Sequence, residues 1–459
     1  MMKIYNSLNN RLEEFVPINK NKVGIYVCGP TVYNYIHFGN SRPVIVFDTL
    51  ARHFINQGYE VEFVQNFTDI DDKIIKKSVE EKLSFDEISS KYINAFMEDI
   101  SKLNILETVK RPRVSEYIPQ IINMIETLIK NGYAYISNGD VLFRVNKYSE
   151  YGKLSNQRLD DLTVGVRIDK NDDKENPLDF VLWKKKKENE PYWESPFSQG
   201  RPGWHIECSV MSREFLGDDF DIHAGGIDLL FPHHENERAQ SVCFCNEKSK
   251  FVKYWMHNGF LEINGEKMSK SLGNFITLRE VLSNYSGDVV RFFMLSTHYR
   301  KPINYSNENL EISKKTLDSI IETIERYKGL QGGTNNSNSE IIKEIELFEK
   351  EFNDALNDDL NTPLAISCIH DLIKKTNIQL NISNFKEIEQ VVNILEKYII
   401  NVLGIKMEKN INDELSEKLI ELLNIIRDEA RANKNYVLSD MIRDELLKLG
   451  IKTADRKVK

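Results

Sequence analysis

The stretch that most constrains the fold covers residues 28–40, which read Cys-Gly-Pro-Thr-Val-Tyr-Asn-Tyr-Ile-His-Phe-Gly-Asn. Before it, hydrophobic residues alternate along residues 23–27, which is typical of a short, half-buried strand. After it, apolar residues recur at helical spacing over residues 44–55, until Gly58 offers a stop. The sequence therefore predicts a strand-to-helix turn near the start of an α/β unit.

Polar residues at this turn are placed where an anion could bind. In α/β folds, ligands collect at the carboxyl ends of strands, next to helix N-termini whose free N–H groups favour anions. His37 and Asn40 stand just before the predicted helix, and both side chains can donate a hydrogen bond to a phosphate. A single histidine beside a turn is also common in a purely structural role, so the turn alone does not define a function.

Composition narrows the class of protein. With 459 residues, the chain is long enough for roughly two to four domains. A formal net charge of −9 disfavours indiscriminate nucleic-acid binding, although a basic face on an acidic protein can still bind RNA. No uninterrupted apolar run approaches roughly eighteen residues, so no membrane segment is predicted. The five cysteines are odd in number and irregularly spaced, which predicts free thiols in a reducing cytoplasm.

Periodicity and turn signals predict the remaining elements. The segment 72–104 is predicted to be helical, and so is the chain from the capping box at Thr277 to residue 330. Asn138-Gly139 predicts the turn of a hairpin. The other predictions are strands at 61–67, 180–183, 220–223 and 260–263, and helices at 115–130, 233–245, 340–356, 363–380, 384–403 and, as a pair, 413–450.

Two further patterns have both a structural and a chemical interpretation. Residues 267–271 read Lys-Met-Ser-Lys-Ser, and a lysine loop of this kind is usually a solvated surface turn. His233 and Glu237 are four residues apart, so a helix places both on one face. Such a pair can supply two ligands to zinc, but it is also common as an ordinary polar pair on a surface. Spacing alone leaves both interpretations open.

Taken together, the turn around Gly39 and the 267–271 loop resemble the two signature sequences of class I aminoacyl-tRNA synthetases. Four more segments resemble the cysteinyl-tRNA synthetases within that class, and the likeness runs from the N-terminus to about residue 450. These segments are Tyr-Val-Cys-Gly at 26–29, Thr-Asp-Ile-Asp-Asp-Lys at 68–73, Gly-Trp-His-Ile-Glu-Cys at 203–208 and Phe-Pro-His-His-Glu-Asn-Glu at 231–237.

The resemblance implies an α/β fold, with a Rossmann-type catalytic domain split by an insertion and followed by an α-helical bundle that binds the anticodon region. The composition of residues 331–339 marks a linker ahead of the bundle. The predicted domains are 1–115 (first catalytic half), 116–200 (insertion near the tRNA acceptor end), 201–285 (second catalytic half), 286–330 (helical connecting segment), 340–405 (helical bundle) and 413–459 (small anticodon-recognition domain).

The resemblance also implies the reaction. ATP and L-cysteine would form cysteinyl-adenylate, and the cysteinyl group would pass to the terminal adenosine of tRNA(Cys). Mg²⁺ would accompany ATP without a dedicated protein cage. One Zn²⁺ per chain would bind the substrate thiolate. The implied enzyme is a cytoplasmic cysteine–tRNA ligase, and a monomer is predicted because no apolar heptad demands a partner chain.

Individual residues follow from the match to the family's motifs. The residues at ATP-binding positions are His37, Gly39, Asn40, Lys267 and Lys270, of which all but Gly39 are expected to be catalytic. Those at the positions of the zinc ligands are Cys28, Cys208, His233 and Glu237. Those at positions lining the amino-acid pocket are Gly29, Thr68, Trp204 and Asp228. His205 and His234 are predicted to hydrogen-bond around the metal rather than to ligate it.

Two departures from the family pattern and three rival functions accompany this interpretation. Asn40 stands where the broader class often has histidine, and the C-terminus stops short of a strand found in many relatives. A ligase that joins cysteine to an amino sugar would share the catalytic domain, but the long helical region after residue 331 favours tRNA. A zinc hydrolase would leave the lysine loop without a role. A non-catalytic RNA-binding module would leave the first 300 residues unexplained.

Overall fold

The computed structural model describes residues 1–158, 174–188, 190–263, 265–268, 275–330, 337–381, 385–407, 411–433 and 435–448. Its strands are β1 (Lys3–Asn6), β2 (Arg11–Glu14), β3 (Lys22–Val27), β4 (Glu60–Gln65), β5 (Ala134–Ser137), β6 (Asp140–Phe143), β7 (Phe180–Lys185), β8 (Gly200–Pro202), β9 (Phe220–Gly226), β10 (Val252–Asn258), β11 (Leu261–Ile263), β12 (Glu266–Lys267) and β13 (Ile303–Tyr305).

The α-helices fall mainly between and after these strands. They are α1 (Ser41–Asn56), α2 (Asp72–Glu81), α3 (Phe85–Ser101), α4 (Ile118–Lys130), α5 (Trp204–Leu216), α6 (Glu235–Phe244), α7 (Leu278–Leu282), α8 (Gly287–Leu295), α9 (Asn307–Gly329), α10 (Ser339–Asn357), α11 (Thr362–Leu380), α12 (Ile388–Glu396), α13 (Ile411–Ala432) and α14 (Tyr436–Lys448). None of the described helices is long and apolar enough to cross a membrane.

A parallel four-stranded sheet in the order β10-β9-β3-β4 forms the centre of the region that is predicted to be catalytic. α1 connects β3 to β4, and α6 connects β9 to β10. The strand order thus reverses between β3 and β9, and the crevice at such a switch point is where open α/β sheets bind ligands. The predicted strands at β3, β4 and β9 are confirmed. β10 was not predicted, because Lys253, His257 and Asn258 break its apolar pattern.

The insertion forms a separate antiparallel sheet in the order β5-β6-β7-β8. The predicted hairpin is confirmed, and both of its turn residues have positive φ, 51° at Asn138 and 94° at Gly139. Leu182 and Trp183 of β7 belong to the same hydrophobic core cluster as Ile206 of α5. The insertion is therefore packed against the helix that immediately follows it.

Two predicted helical regions differ in detail from the structure. The segment 72–104 is interrupted at Lys82, which has a φ of 56°, and Ser84 then opens α3 with a capping box. The capping box at Thr277 is confirmed, but the chain beyond it is not helical throughout. Residues 303–305 form β13, which pairs in parallel with β11, and a strand of three residues is too short to show an alternating pattern.

Helices α10 to α12 and the π-helical turn Lys397–Val402 follow residues 331–336, the part of the predicted linker that lies outside the described residues. This bundle packs against α1, where His53 Nε2 lies 3.0 Å from Asn357 Oδ1. The buried Arg291 guanidinium bonds both Asp48 of α1 and the carbonyl oxygen of Leu403. Residues 1–406 accordingly form one compact unit, and residues 407–459, with α13 and α14, form a second.

Candidate active site and metal centre

The carboxyl ends of the central strands surround a cavity of about 330 Å³. β3 ends beside Cys28, β9 ends just before Asp228, and β10 ends at Asn258. Because all four strands are parallel, residues from distant parts of the sequence meet at this one edge. The predicted site residues that line the cavity are Cys28, Gly29, His37, Gly39, Asn40, Trp204 and Asp228.

The four predicted metal ligands lie together, and one of them, Cys28, lines the cavity. Ligating atoms of Cys28, Cys208, His233 and Glu237 are all within 4.8 Å of one another. The two Sγ atoms are 3.7 Å apart, and His233 Nε2 lies 2.9 Å from Glu237 Oε1. Cys28 Sγ lies 3.3 Å from the same carboxylate oxygen. The structure thus brings together two thiols, one imidazole and one carboxylate.

Local structure explains how three of these side chains reach the cluster. A π-helical turn, Leu230–His234, leads directly into α6, so His233 and Glu237 remain one turn apart on one side. Cys208 lies on α5, one turn beyond Trp204, whose ring stacks on His233 with centroids 4.3 Å apart. The i, i+4 spacing seen in the sequence therefore has the geometric consequence predicted for it.

Further histidines surround the cluster, and the sequence analysis did not foresee the role of two of them. His223 Nε2 lies 2.8 Å from Glu237 Oε2, and His257 Nε2 lies 2.8 Å from His234 Nδ1. His205 Nδ1 lies 2.9 Å from His233 Nδ1, which is the kind of contact predicted for it. A second candidate donor set shares two residues with the first and consists of Cys28, His223, His234 and Glu237.

Two donors of the cluster are held in their anionic forms, whereas burial raises the pKa of the Cys28 thiol well above its ordinary value, and Glu237 and Cys208 raise the pKa of His233 to about 10 despite its burial. Burial alone would raise the pKa of Glu237, but the charges and hydrogen bonds of His223 and His233 hold that pKa well below its ordinary value. Burial also opposes ionisation of Cys208, yet hydrogen bonds from Cys28 and His233 lower its thiol pKa to about 6. Glu237 and Cys208 therefore favour their anionic forms, the forms in which metals are bound.

The donor set fits zinc. In tetrahedral coordination with Zn–S bonds of about 2.3 Å, two thiolates lie about 3.8 Å apart, and the observed Sγ–Sγ separation is 3.7 Å. Thiolate, imidazole and carboxylate are also the ligand types that zinc prefers. His233 uses Nδ1 to contact His205, which leaves Nε2 directed at the cluster.

The turn at residues 37–40 contributes His37, Gly39 and Asn40 to the cavity lining. A 3₁₀ turn, Phe38–Asn40, leads directly into α1, so His37 and Asn40 stand at the helix N-terminus. The turn is fixed by a hydrogen bond of 2.9 Å from Phe38 N to Ile276 O. A Cβ atom at position 39 would lie 3.0 Å from the His37 ring. Glycine at this position therefore avoids a close contact with the imidazole.

The lysine loop is described only at its start. Lys267 belongs to β12, where its backbone pairs with Glu262 of β11, and its side chain is not described. Met268 lines the cavity, so the loop begins at the cavity wall. Lys270 lies outside the described residues.

Thr68 differs from the other residues predicted for the amino-acid pocket. It is buried and is not among the residues that line the cavity; its hydroxyl donates to Glu207 Oε2 at 3.0 Å. Glu207 was not identified from the sequence, since a single acidic residue in a helix carries no chemical signal by itself.

Gly29 packs so closely on the end of the neighbouring strand, β4, that a Cβ atom would lie 1.6 Å from the carbonyl oxygen of Asn66.

Fold and sequence comparisons agree on the class of protein. The family described as tRNA synthetases class I (C) catalytic domain matches residues 14–315, and the DALR domain matches residues 351–408. A solved methionyl-tRNA synthetase from Mycobacterium tuberculosis superposes with a TM-score of 0.67 at 14% identity, covering 88% of this chain and 94% of that one. The fold and the matched domains are those of a class I aminoacyl-tRNA synthetase.

Relatives with much higher identity narrow the family. A cysteine–tRNA ligase from Fusobacterium nucleatum is 50% identical and covers 100% of this chain and 99% of its own length. A cysteine–tRNA ligase from Clostridioides difficile is 48% identical, covering 99% and 98% respectively. The chain belongs to the cysteine–tRNA ligase family.

Proposed function

We propose that this chain activates L-cysteine with ATP to cysteinyl-adenylate and transfers the cysteinyl group to the 3′-terminal adenosine of tRNA(Cys). The observation that carries the proposal is a single cavity that is lined both by the His37–Asn40 turn and by Cys28 of the four-donor cluster. A nucleotide phosphate at the helix N-terminus and a cysteine side chain at the cluster would therefore occupy one continuous site.

Adenylate formation requires the substrate carboxylate to attack the α-phosphate of ATP, with pyrophosphate as the leaving group. Negative charge grows in the transition state, so positioning and charge stabilisation are the main catalytic means. His37 and Asn40 would donate hydrogen bonds to the phosphates from the start of α1. Lys267 and Lys270 would bind the phosphates and the departing pyrophosphate, and Mg²⁺ would accompany ATP.

Residues on the cavity wall would orient the amino acid. The Asp228 carboxylate, at the end of β9, suits the α-ammonium group or a ribose hydroxyl of the nucleotide. Gly29 keeps the strand end free of a side chain, and Trp204 covers the His233 side of the cluster. Thr68 would act from below the wall, because its hydroxyl is bonded to Glu207.

We assign Cys28, Cys208, His233 and Glu237 as the ligands of one zinc, in preference to the set with His223 and His234, because two thiols suit zinc better than one. When bound, zinc stabilises the thiolate form of a sulfur ligand and so would distinguish cysteine from serine. His223, which hydrogen-bonds Glu237, would hold the carboxylate in its ligating orientation.

The remaining assignments concern partners and location. The DALR domain match and the bundle formed by α10 to α12 support tRNA(Cys) over an amino sugar as acceptor. All five cysteines are free thiols, which supports a reducing, cytoplasmic environment. We propose a monomer as the functional form.

The proposal is tested by ATP–pyrophosphate exchange with each of the twenty amino acids in turn. Cysteine alone should drive rapid exchange, and serine should drive almost none. Exchange driven by a different amino acid would assign a different substrate, and the absence of exchange with any of them would refute adenylate formation. Charging of tRNA(Cys), measured separately, tests the acceptor.

A further inference from the structure

Arg42 lies in the first turn of α1, two residues after Asn40, and its side chain is fully buried. Its Nη1 atom donates to the carbonyl oxygens of Gly259 at 2.8 Å and Phe260 at 2.9 Å. Its Nη2 atom donates to the carbonyl oxygen of His298 at 3.2 Å. One guanidinium thus joins α1 to two other stretches of the chain.

The charge on Arg42 makes this arrangement unusual. Burial lowers its pKa to about 10, so the guanidinium remains protonated at neutral pH. Within the described part of the chain, no carboxylate forms an ion pair with it, and its partners are backbone carbonyl dipoles. A buried charge without a counter-ion is costly, and a neutral side chain of similar volume would fill the same space. Packing alone therefore does not account for an arginine here.

The acceptors of Arg42 belong to the cavity wall. Asn258, Gly259, Phe260 and Leu261 all line the cavity, and Leu261 lies next to the His37–Asn40 turn, with its Cβ 3.5 Å from where a Cβ on Gly39 would stand. The same segment leads directly into β11 and β12, after which the lysine loop begins. Arg42 consequently connects the helix that follows one signature to the strand that precedes the other.

The segment is also held from its other side. Gly259 N donates to the carbonyl oxygen of Tyr299 at 2.8 Å. A methyl group at Gly259 would lie 2.6 Å from Lys301 O and 2.9 Å from Arg300 O, so only glycine allows this approach. The Gly259 peptide therefore has little freedom between Arg42 and the stretch 299–301.

We propose that Arg42 is a positioning residue for adenylate formation, which holds the Gly259–Phe260 carbonyls and thereby sets the distance between the His37–Asn40 turn and the base of the lysine loop. The inference rests on the proposed function. Both phosphate-binding elements must meet one transition state, and a displacement of roughly 1 Å can reduce a rate by about a hundredfold. Among the described residues, Arg42 makes no hydrogen bond to the four-donor cluster.

The test compares R42M and R42K with the wild type in cysteine-driven pyrophosphate exchange, using the full chain. R42M should lower kcat by about a hundredfold, with little change in the KM for cysteine, because Arg42 does not contact the cluster proposed to bind the cysteine side chain. R42K keeps the charge and part of the hydrogen bonding, so it should recover part of kcat. G259A should also lower kcat, and R42M/G259A should be no slower than the slower single variant, because both act on one connection.

T362V is the matched control. The buried Thr362 hydroxyl donates to the carbonyl oxygen of Leu295 at 2.7 Å. This hydrogen bond connects the end of α8 to the bundle, and neither residue lines the cavity. T362V should lower the melting temperature and leave kcat unchanged. If kcat falls with melting temperature across all variants, or if R42M retains wild-type kcat, the positioning role is refuted.

Two precautions keep the test decisive. If R42M does not fold, the test uses R42K, G259A and the double variant R42K/G259A instead. In that case, additive losses of kcat in the double variant would overturn the proposal. If the wild type exchanges pyrophosphate with no amino acid, the proposed function itself is refuted. If the wild type is active with cysteine and R42K and G259A have the same kcat as the wild type, only the role of Arg42 is refuted.

Discussion

At Cys208, the demands of packing and of chemistry meet in one side chain. The thiol is buried in the same hydrophobic core cluster as Ile206, yet its hydrogen-bonding partners lower its pKa to about 6. A cysteine of this kind is well suited to bind a metal, because the thiolate is the ligating form. Cys243 provides the contrast, since it is equally buried on α6 and burial raises its pKa.

Replacement of Cys208 with alanine should therefore remove the bound metal. The purified wild type should contain about one zinc per chain, and Cys208→Ala should contain far less and bind cysteine weakly. Cys243→Ala removes a thiol of equal burial outside the donor set and should keep its zinc. Elemental analysis of the three proteins makes the measurement, and a Cys208→Ala protein with full zinc content would contradict the ligand assignment.

Exchange of the metal tests whether the substrate sulfur reaches it. With cobalt in place of zinc, a visible thiolate-to-metal band should appear and should change on addition of cysteine but not of serine. The reason is that a serine hydroxyl resists ionisation at neutral pH, whereas a thiol ionises readily on a metal. A cobalt spectrum that saturating cysteine leaves unchanged would make the metal purely structural.

The lysine loop can be tested at a single residue. Lys270→Ala should lower the rate of adenylate formation by about a hundredfold, equivalent to roughly 3 kcal/mol, and leave cysteine binding almost unchanged. The expectation arises because a charge that meets the phosphates mainly in the transition state affects turnover before ground-state affinity. Pre-steady-state kinetics provide the measurement. Lys350→Ala, an exposed lysine on α10, is the control, and equal rates for both variants would exclude a catalytic role.

Among the elements, α1 contacts both the cavity wall and the helical bundle. Its N-terminus faces the cavity, Arg42 in its first turn bonds the 259–260 carbonyls, and His53 in its last turn contacts Asn357 of the bundle. Burial lowers the pKa of His53 to about 4. The helix therefore connects the His37–Asn40 turn to the bundle through polar contacts.

His53 should make the stability of the protein depend on pH. Its folded-state pKa of about 4 lies below the ordinary value of 6.5, so the unfolded chain binds the proton more tightly. Stability should therefore be fully present above about pH 6.5 and fall as the pH drops toward 4, by up to roughly 3 kcal/mol from this residue. His53→Gln keeps an amide next to Asn357 but does not titrate.

Denaturant unfolding at several pH values measures the effect. The free energy of unfolding of the wild type should fall more steeply between pH 6.5 and 4 than that of His53→Gln. The difference between the two proteins isolates His53 from the other buried histidines. Parallel curves over this range would show that His53 does not contribute.

At the scale of the whole molecule, the contacts within the chain place a boundary between two units after Lys406, whereas the sequence composition marks a linker at residues 331–339. Arg291 bonds Leu403, and Asp359 accepts hydrogen bonds from Tyr299 and Arg300, so the bundle is joined to the catalytic part by buried polar contacts. A truncation near residue 330 would remove Leu403 and Asp359, and Arg291, Tyr299 and Arg300 would lose these partners. Removal of residues 407–459 leaves the first unit intact.

A chain ending at Lys406 should therefore keep cysteine-driven pyrophosphate exchange and charge tRNA(Cys) poorly. The reason is that the lining of the cavity and the four-donor cluster belong to the first unit, whereas α13 and α14 belong to the second. The two activities are measured on the same preparation, with the full-length chain as reference. Undiminished charging by the shortened chain would remove the second unit from tRNA recognition.

The sequence by itself determined the local features. The β3–turn–α1 unit, the hairpin at Asn138-Gly139 and the capping box at Thr277 depend on residues a few positions apart, and short-range sterics and hydrogen bonds encode them directly. The His233–Glu237 pair belongs to the same group, because helical spacing alone puts both on one face. The resemblance to the family's motifs predicted the remaining metal ligands and the reaction, but it did not predict any distance between the side chains.

Only the tertiary structure decided which distant residues meet. Cys28 and Cys208 are 180 positions apart, and Arg42 and Gly259 are 217 apart. Their contacts depend on the strand order β10-β9-β3-β4, which aligns four carboxyl ends at one edge of the sheet. Periodicity reports whether a segment is a strand but carries no information on its neighbours. For the same reason, only the tertiary structure shows that Thr68 hydrogen-bonds Glu207 and that His223 contacts Glu237.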